Sequence, residues 1–187
     1  RKESSAASDV YKRQSYVKSI NYKDNFSSTE NISFIDMGFN KTSITCYNKN
    51  QIIFFHVLPI GGNHITKDLS KILNIELIDA EKTKLYFDKD ENFLKEKKLS
   101  LELIQKIIFA RIEEILELCT KSIKLNVDFN ESFQFKMVLM GEGSKILDNK
   151  FKEKISFPYE IDLLEEIEED ICESALKLND GFNNQEV

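Results

Sequence analysis

The sequence predicts an α/β domain. Three observations carry this: three strand-like runs in close order, a long helical periodicity after them, and a late apolar strand running into a Gly-containing loop. The early runs are Ile32–Asp36, Ser43–Tyr47 and Ile52–Leu58. Their connections, Met37–Thr42 and Asn48–Gln51, are short and rich in Gly, Asn and Lys, which predicts an antiparallel meander.

Before the meander, Tyr16, Val17 and Ile20 within Ser15–Lys23 read as the tail of a helix, and Asp24–Asn31 as a polar loop. After it, Pro59-Ile60-Gly61-Gly62-Asn63 breaks the sheet. Asn63 or Thr66 is expected to cap a helix ending at Leu73, with Ile65, Leu69, Ile72 and Leu73 on one face. A second short helix is expected over Leu77–Leu85. Residues 87–98 carry mixed charge and read as a loop. Ser100 then caps the longest helix, Leu101–Leu125, whose apolar positions Leu101, Ile104, Ile108, Ile112, Ile115 and Cys119 step by three and four. Phe133–Met140 is the late strand, entering Gly141-Glu142-Gly143-Ser144 ahead of an expected helix. Glu160–Glu173 holds eight carboxylates and no base. Leu164, Ile167, Ile171, Ala175 and Leu178 still form a helical stripe there, so the charge reads as a solvated face.

Composition narrows the class. The chain has 187 residues, 41% hydrophobic and 31% charged, with 6 Gly and 2 Pro, so it can bury a core and is not low-complexity. A net charge of -6 argues against a nucleic-acid-binding role. Cys46, Cys119 and Cys172 are odd in number and far apart, which suits a reducing cytoplasm and not a disulfide framework. No apolar run is long enough to span a membrane. Residues 1–14 (RKESSAASDVYKRQ) lack periodicity, resemble translated adapter sequence, and are set aside as non-native. Lys outnumbers Arg 23 to 3, and Arg111 stands alone beyond residue 14. A solitary guanidinium among lysines points to a need for a planar fork of donors, or to codon usage.

The chemistry, if any, lies in the Gly-bearing loops. Asp36-Met37-Gly38 ends a buried strand; such a carboxylate can hold Mg²⁺ through water, and the adjoining Gly lets backbone amides approach a phosphate. Gly141-Glu142-Gly143-Ser144 can serve the other side of a nucleotide. Each alone is more often merely a turn. Their order, with Gly61-Gly62 between them, is the specific feature. His56, His64 and Cys46 have no metal-ligand spacing, and structural roles are expected for both His.

The run FIDMGFNKTSITCYNKNQIIFFHVLPIGGNHITKDLSKILNIELIDAEKTKL resembles the second half of the bacterial cell-division FtsA family. So do IIFARIEEILEL, MVLMGEGSKI and ICESALKLNDGF. These are actin-like proteins of the superfamily that also holds sugar kinases. The resemblance implies an actin-like/ribonuclease H-like domain with a helical insertion. Subdomain 2A would comprise 15–59 and 127–187, and subdomain 2B would comprise 60–126. It implies ATP and Mg as ligands. Asp36, Gly38 and Thr42 fall on the second phosphate motif, Asp-x-Gly-Gly-Gly-Thr-Thr, where this chain has Phe39, Asn40 and Lys41 instead of Gly, Gly and Thr. Asn40 can take a left-handed turn, and Lys41 offers a cation. Glu81 and Lys84 match the pair that meets ribose and adenine; without the resemblance they read as a surface i,i+3 ion pair. Gly141, Gly143 and Ser144 match the adenosine loop, with Glu142 replacing its central Gly. These departures imply nucleotide binding with at most weak ATPase activity in the intact protein and none in this chain.

As to function, the resemblance implies an adaptor between the FtsZ ring and the cytoplasmic face of the inner membrane. The alternative is a superfamily enzyme such as a sugar kinase or exopolyphosphatase-type phosphohydrolase, which should keep an intact Gly-Gly-Thr loop. The implied partners are the FtsZ C-terminal tail, received by Arg111 and Glu114 with the guanidinium reaching solvent, and further copies in filaments. Membrane attachment would run only through a C-terminal amphipathic helix outside this chain.

Overall fold

The computed structural model describes residues 14–26, 31–87, 94, 97–127, 135–147 and 157–164. The adapter-like residues 1–13 and the stripe beyond Leu164 lie outside the described residues. A five-stranded sheet in the order β3-β2-β1-β4-β5 forms the centre. Its strands are β1 (Asn31–Met37), β2 (Thr42–Asn48), β3 (Gln51–Leu58), β4 (Lys136–Met140) and β5 (Ile161–Leu163). β1, β2 and β3 form the expected antiparallel meander, and β4 joins β1 in parallel, with Asp36 beside Met140. Lys49 and Asn50 both take positive φ, 45° and 69°, in the two-residue turn between β2 and β3.

Alternation along β1 feeds two cores. Ile35 and Met37 face one side, with Ile44, Cys46, Met137 and Leu139. Over them pack α2 (Gly62–Leu73) through Ile65 and Leu69, and α4 (Leu101–Asn126) through Ile104, Ile108, Ile112, Ile115 and Cys119. α3 (Leu77–Tyr86) adds Ala80. Ile32 and Phe34 face the other side with Tyr47, Val138 and Met140, against Tyr22 of α1 (14–23) and Phe26 of the 3₁₀ turn (Asp24–Phe26) after it. Phe34 meets Phe26 and Tyr47 edge to face, each at 6.0 Å between centroids.

The Ser100 cap forms as expected, accepting from Leu103 N at 3.4 Å. α2 starts otherwise. Gly61, in extended conformation, is its cap: His64 N–H donates to Gly61 O, and Gly61 N–H donates to His64 Nδ1 at 3.1 Å. Asn63 and Thr66 fall inside the helix, their side chains used elsewhere. Ile161–Leu163, read from sequence as part of the acidic helical stretch Glu160–Glu173, is instead a strand, because Met137 N–H and Leu164 N–H bond to Glu160 O and Leu139 O. Lys136, between Glu160 and Asp162 at 2.8 and 2.7 Å, ties the two strands by charge. His56 stacks on Phe54 along the outer strand.

Burial pushes the Cys46 thiol from its ordinary 9.0 up to about 12, and the Tyr47 phenol from 10.0 to about 12. The unfolded chain releases both protons at lower pH than the folded one. Stability is therefore unaffected by these groups below pH 9 and falls as pH rises from there towards 12. Urea melts across this window should show a falling midpoint, and Cys46→Ala should flatten the fall. An equally steep fall in Cys46→Ala would exclude the thiol as a contributor.

Candidate functional site

Three loops meet at the end of the sheet where β1 and β4 stop. The turn after β1 closes on itself through Gly38 N–H to Lys41 O at 2.9 Å. Its carbonyls accept from the first turn of α2, Gly62 N–H to Gly38 O at 2.9 Å and Asn63 N–H to Phe39 O at 2.7 Å. The side chains repeat the link. Asn63 Nδ2 donates to Asn40 Oδ1 at 2.9 Å, and Thr42 Oγ1 to Ile60 O at 2.7 Å. Gly61 permits this approach, because a Cβ there would stand 2.5 Å from Gly38 O and 2.8 Å from Lys41 N.

The third loop, Gly141–Ser144, is a 3₁₀ turn held by Ser144 Oγ to Gly141 O at 2.7 Å. Gly141 has φ +92°, and a Cβ on it would run into Asp36 Oδ1 and the Met37 carbonyl. Gly143 packs on Met37 in the same way. Asp36 itself is buried. Ser15 Oγ donates to its Oδ2 at 2.7 Å, and Lys18 Nζ lies 3.8 Å from Oδ1, both from α1.

Glu81 and Lys84 join the same place from α3. Lys84 is buried, not a surface cation: its ammonium donates to Glu81 Oε2 at 2.8 Å, Thr66 Oγ1 at 2.9 Å and Gly62 O at 3.4 Å. A Cβ at Gly62 would sit 3.4 Å from Gly143 Cα and 3.9 Å from Lys84 Nζ, so the pair adjoins the glycine junction.

The structure thus brings Asp36, Gly38, Asn40, Lys41, Thr42, Gly61, Gly62, Glu81, Lys84, Gly141, Gly143 and Ser144 to one end of the sheet. Asn40 differs from expectation, since it takes no positive φ and its side chain instead accepts from Asn63. Thr66, Ser15 and Lys18 were missed as site members. Thr66 is one helical turn on from Gly62, a spacing that was legible; the reach of α1 to Asp36 was not.

Arg111 lies apart from this site, and its orientation is corrected. Nε and Nη2 grip Asp68 of α2 at 2.5 and 2.9 Å, and Nη1 holds Glu114 at 2.5 Å. The fork faces α2, not open solvent. The Asp68 hydrogen bond raises its pKa above the ordinary value.

The residues fit a nucleotide in one respect: glycines leave bare backbone beside a buried ammonium that a half-buried carboxylate neutralises. A fold with this sheet order and these loops at one end is an actin-like domain. MreB 5 of Spiroplasma citri bound to AMPPNP superposes with a TM-score of 0.63 at 15% identity, covering 92% of this chain and 59% of that one. An archaeal actin homolog, Ta0583, gives 0.59 at 16%, covering 92% and 54%.

The family model for cell division protein FtsA matches residues 33–138, and the chain belongs to that family. It is 28% identical over 130 residues to cell division protein FtsA of Agrobacterium fabrum, covering 60% of this chain and 29% of that protein. The Bacillus subtilis FtsA is 30% identical over 108 residues, with 50% and 24% covered. The chain therefore spans 24% to 29% of the length of these curated relatives.

The two glycines on either side of the junction should respond oppositely. Gly141→Ala forces a positive φ and a clash, and should cost about 2–4 kcal/mol in a urea melt. Gly62→Ala meets only ordinary contacts at a helix start and should change stability by less than about 1 kcal/mol. Equal costs would contradict this junction geometry.

Proposed function

We propose that this chain is the nucleotide-binding part of an actin-like division adaptor, with ATP and Mg²⁺ as ligands. The single supporting observation is the convergence of the Asp36–Thr42 turn, Gly61-Gly62, Glu81-Lys84 and Gly141–Ser144 on one spot. The AMPPNP bound to the structurally similar MreB 5 of Spiroplasma citri is consistent with that reading. Gly38, Asn40, Lys41 and Thr42 would lie towards the phosphates, and Glu81, Gly141, Gly143 and Ser144 towards the nucleoside. Asp36, held by Ser15 and Lys18, would hold magnesium through water. The metal supplies charge neutralisation at the phosphates. Phe39, 57% exposed, stands where the family motif has a bare glycine, so turnover should be slow. In this proposal 15–59 and 127–187 are subdomain 2A. Subdomain 2B is 60–126, its helices α2 and α4 rooted in the shared core.

Calorimetry of the chain with ATP and Mg²⁺ should give measurable binding, weakened at least about tenfold in Asp36→Asn. Phosphate release should stay near background. Failure to bind would leave the glycine junction a packing device. Rapid turnover would favour the sugar-kinase or phosphohydrolase alternative.

We extend the proposal to the intact protein: it assembles into filaments, reaches the inner membrane through an amphipathic helix, and receives the FtsZ tail on α4. A tail carboxylate at Arg111 must displace Asp68 or share the fork with Glu114. Fluorescence anisotropy with an FtsZ tail peptide should then show weaker binding for Arg111→Glu and tighter binding for Asp68→Asn, which frees the fork. Unchanged affinity in both folded variants would remove Arg111 as the docking residue.

A further inference from the structure

The stripe that α1 turns to the sheet is unlike those of the other helices. α2 and α4 meet the sheet through Ile and Leu, whereas the buried residues of α1 are Ser15, Ser19 and Tyr22, at spacings of four and three. Ser15 Oγ donates to Asp36 Oδ2 at 2.7 Å, Ser19 Oγ stands 2.8 Å from Tyr47 OH, and Tyr22 joins the smaller core. Little of this contact is apolar, so α1 can leave the sheet more easily than α2 or α4. Its departure would take both Ser15 and Lys18 from the buried Asp36 carboxylate. A buried charge that loses its partners is strongly destabilising.

A second hydroxyl stands across from that carboxylate. Ser43 of β2 is the register partner of Asp36, and it is 1% exposed. Its Oγ has no hydrogen-bond partner among the described residues. Directly opposed residues of antiparallel strands share one face of the sheet, with Cβ atoms about 4.5–5.5 Å apart. Rotation about χ1 alone can therefore bring the Ser43 hydroxyl to the carboxylate. While α1 is docked, the unmet hydroxyl is a burden that an alanine would avoid.

We propose that Ser43 is a reserve donor to Asp36. When α1 lifts from the sheet, the Ser43 hydroxyl turns and takes the place of Ser15, so α1 is a latch that opens without stranding the carboxylate. The polar stripe on α1 and the unmet hydroxyl on β2 are then two parts of one device. It needs no nucleotide and is tested separately from the reading above.

The test is hydrogen exchange of the α1 amides in the full chain, followed by mass spectrometry, for wild type, Ser43→Ala, Ser15→Ala and the double variant, each with a thermal melt. In wild type the amides of 14–23 should exchange faster than those of β1 and β4. Ser43→Ala should slow α1 exchange about tenfold, because the open state loses its donor and the closed state loses an unmet group. Its melting temperature should hold or rise. Ser15→Ala should speed α1 exchange and lower the melting temperature only slightly, since Ser43 takes over. The double variant should lose more than the sum of the two single changes. Unchanged α1 exchange in Ser43→Ala overturns the proposal, as do additive single effects. A lower melting temperature in Ser43→Ala alone also overturns it, because the hydroxyl would then be bonded while α1 is docked. If the double variant does not fold, α1 exchange in Ser43→Ala decides.

Discussion

The turn after β1 and the first turn of α2 touch backbone to backbone, and the other loops at this end of the sheet are placed by that contact. Gly38 O and Phe39 O accept the amides of Gly62 and Asn63, groups that an isolated helix start would leave to solvent. Such an approach needs a residue without Cβ between them, and Gly61 fills that place. Once α2 is fixed there, Thr66 and Gly62 O are fixed too, and α3 docks by burying Lys84 against them. β4, parallel to β1, delivers Gly141 beside Asp36 in the same plane.

Charge burial then decides which partners each element must have. An ammonium taken out of water is strongly destabilising unless its protons are all accepted. Lys84 meets that demand with a carbonyl, a hydroxyl and a carboxylate from two helices, so α2 and α3 cannot slide without exposing an unmet donor. Asp36 solves the same problem on the opposite face of the sheet through Ser15 and Lys18 of α1. The two charged groups stand on either side of one strand end, Asp36 countered by Lys18 of α1 and Lys84 by Glu81 of its own helix.

Local pattern was enough to read most of the architecture. The apolar run of β1, the Asn-bearing turn at residues 49–50 and the three-and-four spacing of α4 are encoded in adjacent residues, and these elements fall within a residue or two of expectation. The site residues were legible only through the family motif, since a Gly-bearing turn is ambiguous by itself. What sequence could not supply is contact between distant elements. Asp68 and Arg111 are 43 residues apart, so the guanidinium that reads as a free fork beside an apolar stripe is drawn to α2 only once both helices lie on the sheet. The Ile161–Leu163 strand was obscured by carboxylates that suit a helix; pairing with β4 and the Lys136 charge outweigh that propensity.

The helix α2 start also constrains how a phosphate could be met here. In many phosphate sites a helix N-terminus aims its free amides at the anion. In this chain the amides of Gly62, Asn63 and His64 already donate to Gly38, Phe39 and Gly61 carbonyls. The helix dipole therefore steadies the hairpin turn and is not itself open to a ligand. For a nucleotide seated at this junction, the contacts to its phosphates fall to the turn's remaining groups, at Phe39, Asn40, Lys41 and Thr42. The first three of these are the positions where this sequence departs from the glycine-rich motif. A bulky Phe39 and a cationic Lys41 in such a turn favour holding charge over the close, uniform backbone approach that stabilises a transferring phosphoryl group. On the proposed reading the same loop would retain binding and lose turnover, because binding needs a cation and a shape, whereas hydrolysis needs amides at defined distances from a transition state.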